Sequence, residues 1–417
     1  MGARPVDEAI ETVYRIESPR IIAAAARIVR DVGLAEELAQ DALVAALEQW
    51  PQTGIPDRPG AWLITTVRNR AVDLVRREQN HTRKLAEIGR GLEETRPPDL
   101  PADPDDIDDD LLRLIFVACH PVLSTPARIA LTLRLLGGLT TVEIARAVLA
   151  PESTVAQRIV RAKRTLAARQ VPFEVPVGAD RAARLSSVLE VVYLVFNEGY
   201  SATAGDDLLR PGLCEDALRL ARVLAVLMPD EPEVHALLAL LSLQASRTAA
   251  RVDADGDPVL LADQDRTRWD RMLIRLGVES LQRARSLGRG GPGPYTLQAA
   301  IAACHAGALR YADTDWATIA ALYGQLYVLT PSPVVELNRA VAVSRADGPD
   351  AALAIVDGLA ADPALRGYHL LPSVRGDLLE QLGRDADARA EYTRAAELTQ
   401  NLRERDLLLR RAAAVGG

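Results

Sequence analysis

The chain has 417 residues, a formal net charge of −8, and 48 % hydrophobic, 25 % charged and 4 % aromatic residues. That length accommodates two to four domains, and the composition is that of a soluble globular protein rather than a disordered or fibrous one. No charge-free run of about 18 apolar residues exists, which excludes a simple membrane span. The start, MGARPVDEAIETVYR, lacks the apolar core of a signal peptide. Cys119, Cys214 and Cys304 are too scattered for a disulfide framework, so a reducing, cytoplasmic setting is expected. Ala and Leu are abundant and alternating strand patterns are scarce, so the chain reads as all-α.

Residues 5–90 read as a first helical module. Residues 20–50 divide into two helices at Gly33. Leu38, Ala42 and Ala45 have core spacing in the second. Asp31 and Glu36-Glu37 flank the break, and Glu36, Glu37, Gln40 and Asp41 are expected on the other face of this helix, as solvated surface or as a dock for a basic partner. A helix over 61–78 follows, with Asp57 able to cap it and Pro59 suited to its first turn. Leu63, Val67, Ala71 and Leu74 form its apolar stripe. Asn69, Arg70, Asp73, Arg76 and Arg77 share the opposite face, with Arg68 beside it and Trp62 nearby. Basic, hydrogen-bonding and aromatic groups together make a nucleic-acid surface.

Residues 91–110 hold nine acidic side chains and one basic, with several prolines, and read as a flexible linker. Residues 111–170 invert the balance, with nine basic and two acidic side chains. Thr125-Pro126 is expected to open a helix that Gly137-Gly138 ends. Thr140 and Glu143 form a capping box for a short helix, Leu149-Ala150 turns, and Pro151 starts another helix. There Val155, Ile159, Ala162 and Leu166 fall at i, i+4, i+7 and i+11, a buried stripe. Thr154, Gln157, Arg158, Arg161 and Arg164 lie opposite, flanked by Ser153 and Lys163. Such a helix fits the major groove, where Arg pairs with guanine and Gln with adenine. Two capped helices around a three-residue turn read as a helix-turn-helix rather than a solvated basic bundle helix.

Residues 171–180 read as a second short linker, and 181–417 as a longer helical region. The stretches starting at Gly348 and Gly383 repeat at an offset of 35 residues, near the tetratricopeptide period. Cys119-His120 and Cys304-His305 invite a metal reading, but neighbours on a helix diverge by about 100°, so packed helix residues and no metal are expected. Asp253 to Asp257 resembles a calcium loop with Gly at the wrong position, and reads as an Asp-Gly turn. Asn197, Glu198, Tyr200, Asp263, Asp265, Arg266, Trp269, Asp315, Trp316, Asn338 and Arg339 interrupt apolar helices. They form either a candidate pocket for a protein or small-molecule signal or an ion-pair network that sets helix register.

These motifs together resemble a bacterial sigma factor of the extracytoplasmic-function (group 4) type. AEELAQDALVAAL resembles the region-2 helix that grips the RNA polymerase core. RPGAWLITTVRNRAVDLVRRE resembles the helix that recognises and melts the −10 element, and LTTVEIARAVLAPESTVAQRIVRAKRTL the region-4 motif that reads the −35 element. The resemblance implies core-polymerase contacts at Asp31, Glu36, Glu37, Gln40 and Asp41. It implies −10 contacts on Trp62 and the 68–77 face, and −35 contacts from Ser153 to Arg164. NEGY at 197–200, DQDRTRWD at 263–270, PYTLQAAIAACHA at 294–306, TDW at 314–316 and SPVVELNRAVAV at 332–343 resemble the subgroup with a C-terminal tetratricopeptide-like extension. The domains expected are thus 5–90, 111–170 and 181–417, the last regulating the first two in cis.

A stand-alone helix-turn-helix regulator with a sensing domain is the competing reading, but it needs one DNA surface rather than two. An enzymatic tail using Glu198 with Asp263 or Asp265 is weaker still, because no nucleophile–base spacing supports it and no cofactor is called for.

Overall fold

The computed structural model describes residues 4–87, 105–148, 150–201, 204–205 and 208–415. The fold is all-α, and by its contacts it separates into two compact units, 1–191 and 192–417. Most of the acidic linker expected over 91–110, and Leu149 of the expected turn, lie outside the described residues.

The first unit opens with α1 (Arg4–Val29), α2 (Val32–Thr53) and α3 (Pro59–Glu87). The break between α1 and α2 is not at Gly33, which lies inside α2. It is at Arg30, in the left-handed region at φ 55°, followed by Asp31, whose carboxylate accepts from the Leu34 amide at 2.9 Å. A side-chain cap outranks a glycine as the stop signal here, because the cap satisfies an otherwise orphaned amide. Leu38, Ala42 and Ala45 of α2 and Leu63, Val67 and Ala71 of α3 are buried, whereas Leu74 is half-buried.

α4 (Asp105–Ala118) begins within the segment expected to be flexible: residues 105–110 are helical and Asp110 is fully buried. It sits 3.6 Å from Arg27 and 2.5 Å from Arg113. Paired arginines therefore hold part of an acidic run that composition alone assigns to solvent. α5 (Thr125–Leu135) has Ser124, not Thr125, at its N-cap. α6 (Thr141–Ala147) and α7 (Glu152–Ala168) follow, then α8 (Gly178–Tyr200), within which the division between the units falls.

The second unit continues with α9 (Pro211–Leu227), α10 (Pro232–Ala245), α11 (Arg271–Leu287), α12 (Pro294–Gly307), α13 (Trp316–Leu329) and α14 (Pro333–Ala346). It ends with α15 (Pro349–Leu359), α16 (Leu370–Gln381), α17 (Asp385–Leu398) and α18 (Leu402–Ala414). Neighbouring helices pack in sequence order, and two-residue parallel strands, Ala204–Gly205 and Gln400–Asn401, join its ends. The two repeat glycines hold equivalent places: Gly348 at φ 103° precedes α15 and Gly383 at φ 71° precedes α17, where a side chain would be strained. Small residues permit close helix approach, since a Cβ on Gly376 would meet the Tyr392 ring at 2.9 Å. The 253–257 segment is an Asp-Gly turn, with Asp253 accepting from the amides of Asp255 and Asp257. Asp257 itself pairs with Arg403 and Arg410.

Candidate nucleic-acid interface

The geometry of α6 and α7 follows from local chemistry. Thr140 accepts from the Glu143 amide at 3.2 Å while the Glu143 carboxylate accepts from the Thr140 amide at 2.7 Å. This reciprocal cap fixes the start of a seven-residue helix too short to be stable alone. Val155, Ile159, Ala162 and Leu166 are the buried residues of α7. Their burial rotates Ser153, Gln157, Arg161 and Arg164 to the exposed surface, with Thr154 and Arg158 half-buried beside them. Among the described residues, Arg158, Arg161 and Arg164 make no ion pair, so their guanidiniums remain open to an anionic partner.

Lys163 behaves differently. Its ammonium lies 2.5 Å from Glu36 Oε2, and Arg134 Nε of α5 donates to Glu36 Oε1 at 2.6 Å. Glu36 is only 5 % exposed. The acidic face expected on α2 is thus split: Glu37, Gln40 and Asp41 are exposed, whereas Glu36 turns inward to a two-cation clasp. Beside the clasp, burial and then the Glu36 charge push the Tyr14 phenol up to about 12. Arg134 escaped notice in the sequence because its partner lies 98 positions away. A signal for Glu36 did exist, for it falls four residues after Val32 and three before Ala39, both buried. Asp31, expected beside the helix break, caps α2.

On α3, Asn69, Asp73, Arg76 and Arg77 are exposed, and Arg68 and Arg70 are half-buried. Arg70 lies 3.6 Å from Asp41 of α2, joining two of the expected surfaces. Trp62 packs edge-on against the buried Trp50, with ring centroids 5.4 Å apart, so only part of its face is open. Asp110 feels the positive charge of Arg68 as well as of Arg27 and Arg113, yet burial dominates and raises its pKa.

The polar residues of the second unit do not converge on one point. Asp265 caps a 3-10 turn by accepting from Thr267, and Asp315 caps α13 by accepting from Thr318. Glu198 pairs with Arg210, and Arg339 with Glu336. Asp263 and Asn338 are exposed. Tyr200, Arg266, Trp269 and Trp316 are instead linked through Arg247 and Arg251, which the sequence did not single out, and through His305 of the Cys304-His305 pair. Of the two Cys-His pairs, Cys119 is buried with its sulfur 3.3 Å from the Thr132 hydroxyl. His305 stacks edge-on against Trp316 at 5.2 Å.

Residues 13–81 match Sigma-70 region 2, and residues 113–166 match Sigma-70 region 4. The ECF RNA polymerase sigma factor SigK of Mycobacterium sp. (strain KMS) is 32 % identical over 163 residues, which cover 38 % of this chain and 81 % of that protein. The chain belongs to the ECF RNA polymerase sigma factor family. SigK of Mycobacterium ulcerans is similarly related, at 31 % over 168 residues. Both family matches fall within the first unit, and they take in α6 and most of α3 and α7. Residues 184–285 match a family of unknown function, DUF6596. An uncharacterized protein of Rhizobium meliloti is 47 % identical over 391 residues, covering 93 % of this chain and 91 % of its own length. The helical extension is therefore shared with a relative, whereas the two SigK matches span only 38 % and 39 % of this chain.

Proposed function

We propose that this protein is a cytoplasmic sigma factor that binds the RNA polymerase core and directs it to promoters, without catalysis of its own. The observation that carries this reading is the open guanidinium face of α7 set on a capped helix-turn-helix. Ser153, Thr154, Gln157, Arg158, Arg161 and Arg164 read the −35 element. The α3 face, Arg68 to Arg77 with Trp62, takes the −10 element. Glu37, Gln40 and Asp41 meet the polymerase core. Family membership supports each assignment, and the presence of two separate basic faces favours it over a stand-alone regulator.

The Glu36 clasp adds a condition. Lys163 is spent on Glu36, so a −35 helix using Lys163 and a core-binding helix using Glu36 are not available together with the clasp closed. In this reading polymerase binding opens it. Residues 181–417 act in cis as a tetratricopeptide-like regulatory domain, in keeping with the equivalent positive-φ glycines before α15 and α17.

A run-off assay with purified bacterial core polymerase and a promoter library tests the proposal. New start sites that require this protein are expected. Footprinting of duplex DNA by the protein alone, with no new start sites, would replace the sigma reading with a stand-alone regulator. Residues 1–191, compared with the whole chain in the same assay, report whether the extension restrains or supports initiation.

A further inference from the structure

Tyr200 closes α8, 9 % exposed and stacked on Phe196 at 5.5 Å. Two guanidiniums meet on it. The Arg251 guanidinium carbon lies 3.8 Å from the Tyr200 ring centroid, and Arg251 donates to the Tyr200 carbonyl. Arg247 lies 5.7 Å from the same centroid and donates through Nε to the Tyr200 hydroxyl. A third, Arg266, is buried over Trp269 and donates to the His305 and Ala308 carbonyls at 2.5 and 2.7 Å.

Arg266 is committed to structure, but the other two are not. A guanidinium carries five N–H donors. Among the described residues, Arg247 and Arg251 each use donors on Tyr200 alone, and none of the three arginines has an ion-pair partner. Glu404, whose charge reaches Arg251, is taken up by the Thr399 hydroxyl at 3.0 Å and by His369 at 3.1 Å. Both arginines are half-buried, so each side chain keeps part of its surface open to solvent. The cluster's electrostatics agree: burial first, then Arg247, lowers the pKa of Arg266, and burial with Arg247 and Arg266 lowers that of His305 to about 4. Glu404 and Asp313 reach the cluster only at longer range, and gathered guanidiniums with no carboxylate in ion-pair contact favour an anion joining them. Paired guanidiniums on a rigid aromatic platform suit the planar fork of a carboxylate or phosphate.

We propose that Arg247 and Arg251, seated on Tyr200, form a binding site for a small carboxylate- or phosphate-bearing molecule, with Arg266 adding positive potential. This rests on the reading of residues 181–417 as a sensing domain, and it supplies the ligand class. The site lies inside the DUF6596 match, 184–285.

The test is thermal unfolding of the full chain titrated with inorganic phosphate or with succinate, at ionic strength held constant with sodium chloride. Binding to the folded state alone raises Tm with the logarithm of ligand concentration. A rise of about 2 °C or more is expected for one probe, which also identifies the source of the anionic group. The Arg247→Gln/Arg251→Gln variant should lose the rise. Arg251→Lys, which keeps the charge but not the fork, should weaken it should the double variant fold poorly. The Arg161→Ala/Arg164→Ala variant, which blunts the basic face of α7, should keep it. No rise with either probe overturns the site, as does a rise that survives the double variant or vanishes with the α7 variant. Neither polymerase nor promoter DNA enters the experiment, so its failure is separate from failure of the sigma reading.

Discussion

Lys163 of α7 and Glu36 of α2 meet at 2.5 Å, joining a helix of the region 4 match to one of the region 2 match. Arg134 completes the clasp at 2.6 Å. Removing the carboxylate leaves two cations facing each other without a counter-charge, a costlier state than loss of a surface pair. Glu36→Gln should therefore lower the stability of the first unit by about 1–3 kcal/mol. It should also increase binding of the free chain to promoter duplex, because Lys163 is released. Denaturant titration and gel mobility shift check the two effects. A Glu36→Gln/Lys163→Gln double-mutant cycle should give a coupling of about 0.5–3 kcal/mol. A coupling near zero would remove the clasp as an energetic link between these helices.

The DNA face of α7 makes a separable prediction. Arg158 and Arg161 contribute no ion pair among the described residues, and Arg161 is exposed. Arg158→Ala and Arg161→Ala should each weaken −35 binding by about 1–3 kcal/mol if the lost contact is to a base edge. Their unfolding free energies should stay within about 0.5 kcal/mol of the parent, as surface substitutions do. Affinity for core polymerase should be unchanged. Equal losses of core and DNA affinity would mean that α7 serves only to hold the fold.

The division between what sequence predicts and what it misses follows the range of the forces involved. The capping box at Thr140 and Glu143 and the stripe from Val155 to Leu166 are local, spanning one to four turns, and both are present where the spacing places them. The all-α class follows from the same local propensities. Glu36 was misassigned because composition treats a carboxylate as solvent-facing, whereas Arg134 and Lys163 reach it from 98 and 127 residues away. Asp110 follows the same logic: an acidic run reads as linker until Arg27 and Arg113 hold one member inside. Arg247 and Arg251 carry no sequence signal, since their shared partner, Tyr200 at the end of α8, lies 47 and 51 positions away.

The cap itself is open to test. Thr140→Ala removes both the hydroxyl that accepts the Glu143 amide and the bond it donates to the Glu143 carboxylate. An N-cap loss of this kind costs about 1 kcal/mol. α6 has only seven residues and positions the turn into α7, so the loss should fall on DNA binding as well as on stability. Thr140→Ser, which keeps the oxygen, should restore most of both. Failure of serine to rescue would point to methyl packing rather than the hydrogen bond.

His305 gives a pH dependence whose sign is fixed by its surroundings. Burial, then the charges of Arg247 and Arg266, lowers its pKa from 6.5 to about 4. In the unfolded chain the imidazole takes up a proton near its ordinary value, while in the folded chain it stays neutral until much lower pH. Between these two values the unfolded state binds more protons, so stability falls as pH drops from 6.5 towards 4. The slope from this one group is at most about 1.4 kcal/mol per pH unit, and above pH 6.5 its contribution is flat. His305→Gln should remove that part of the slope in urea titrations run from pH 7 down to pH 4.5. Arg247→Gln removes one of the charges that hold the proton off, so it should raise the His305 pKa and make the fall begin to level at a higher pH. An unchanged profile in both variants would place the pH dependence elsewhere. A change in His305→Gln alone would mean that burial, not the arginine cluster, keeps the imidazole neutral.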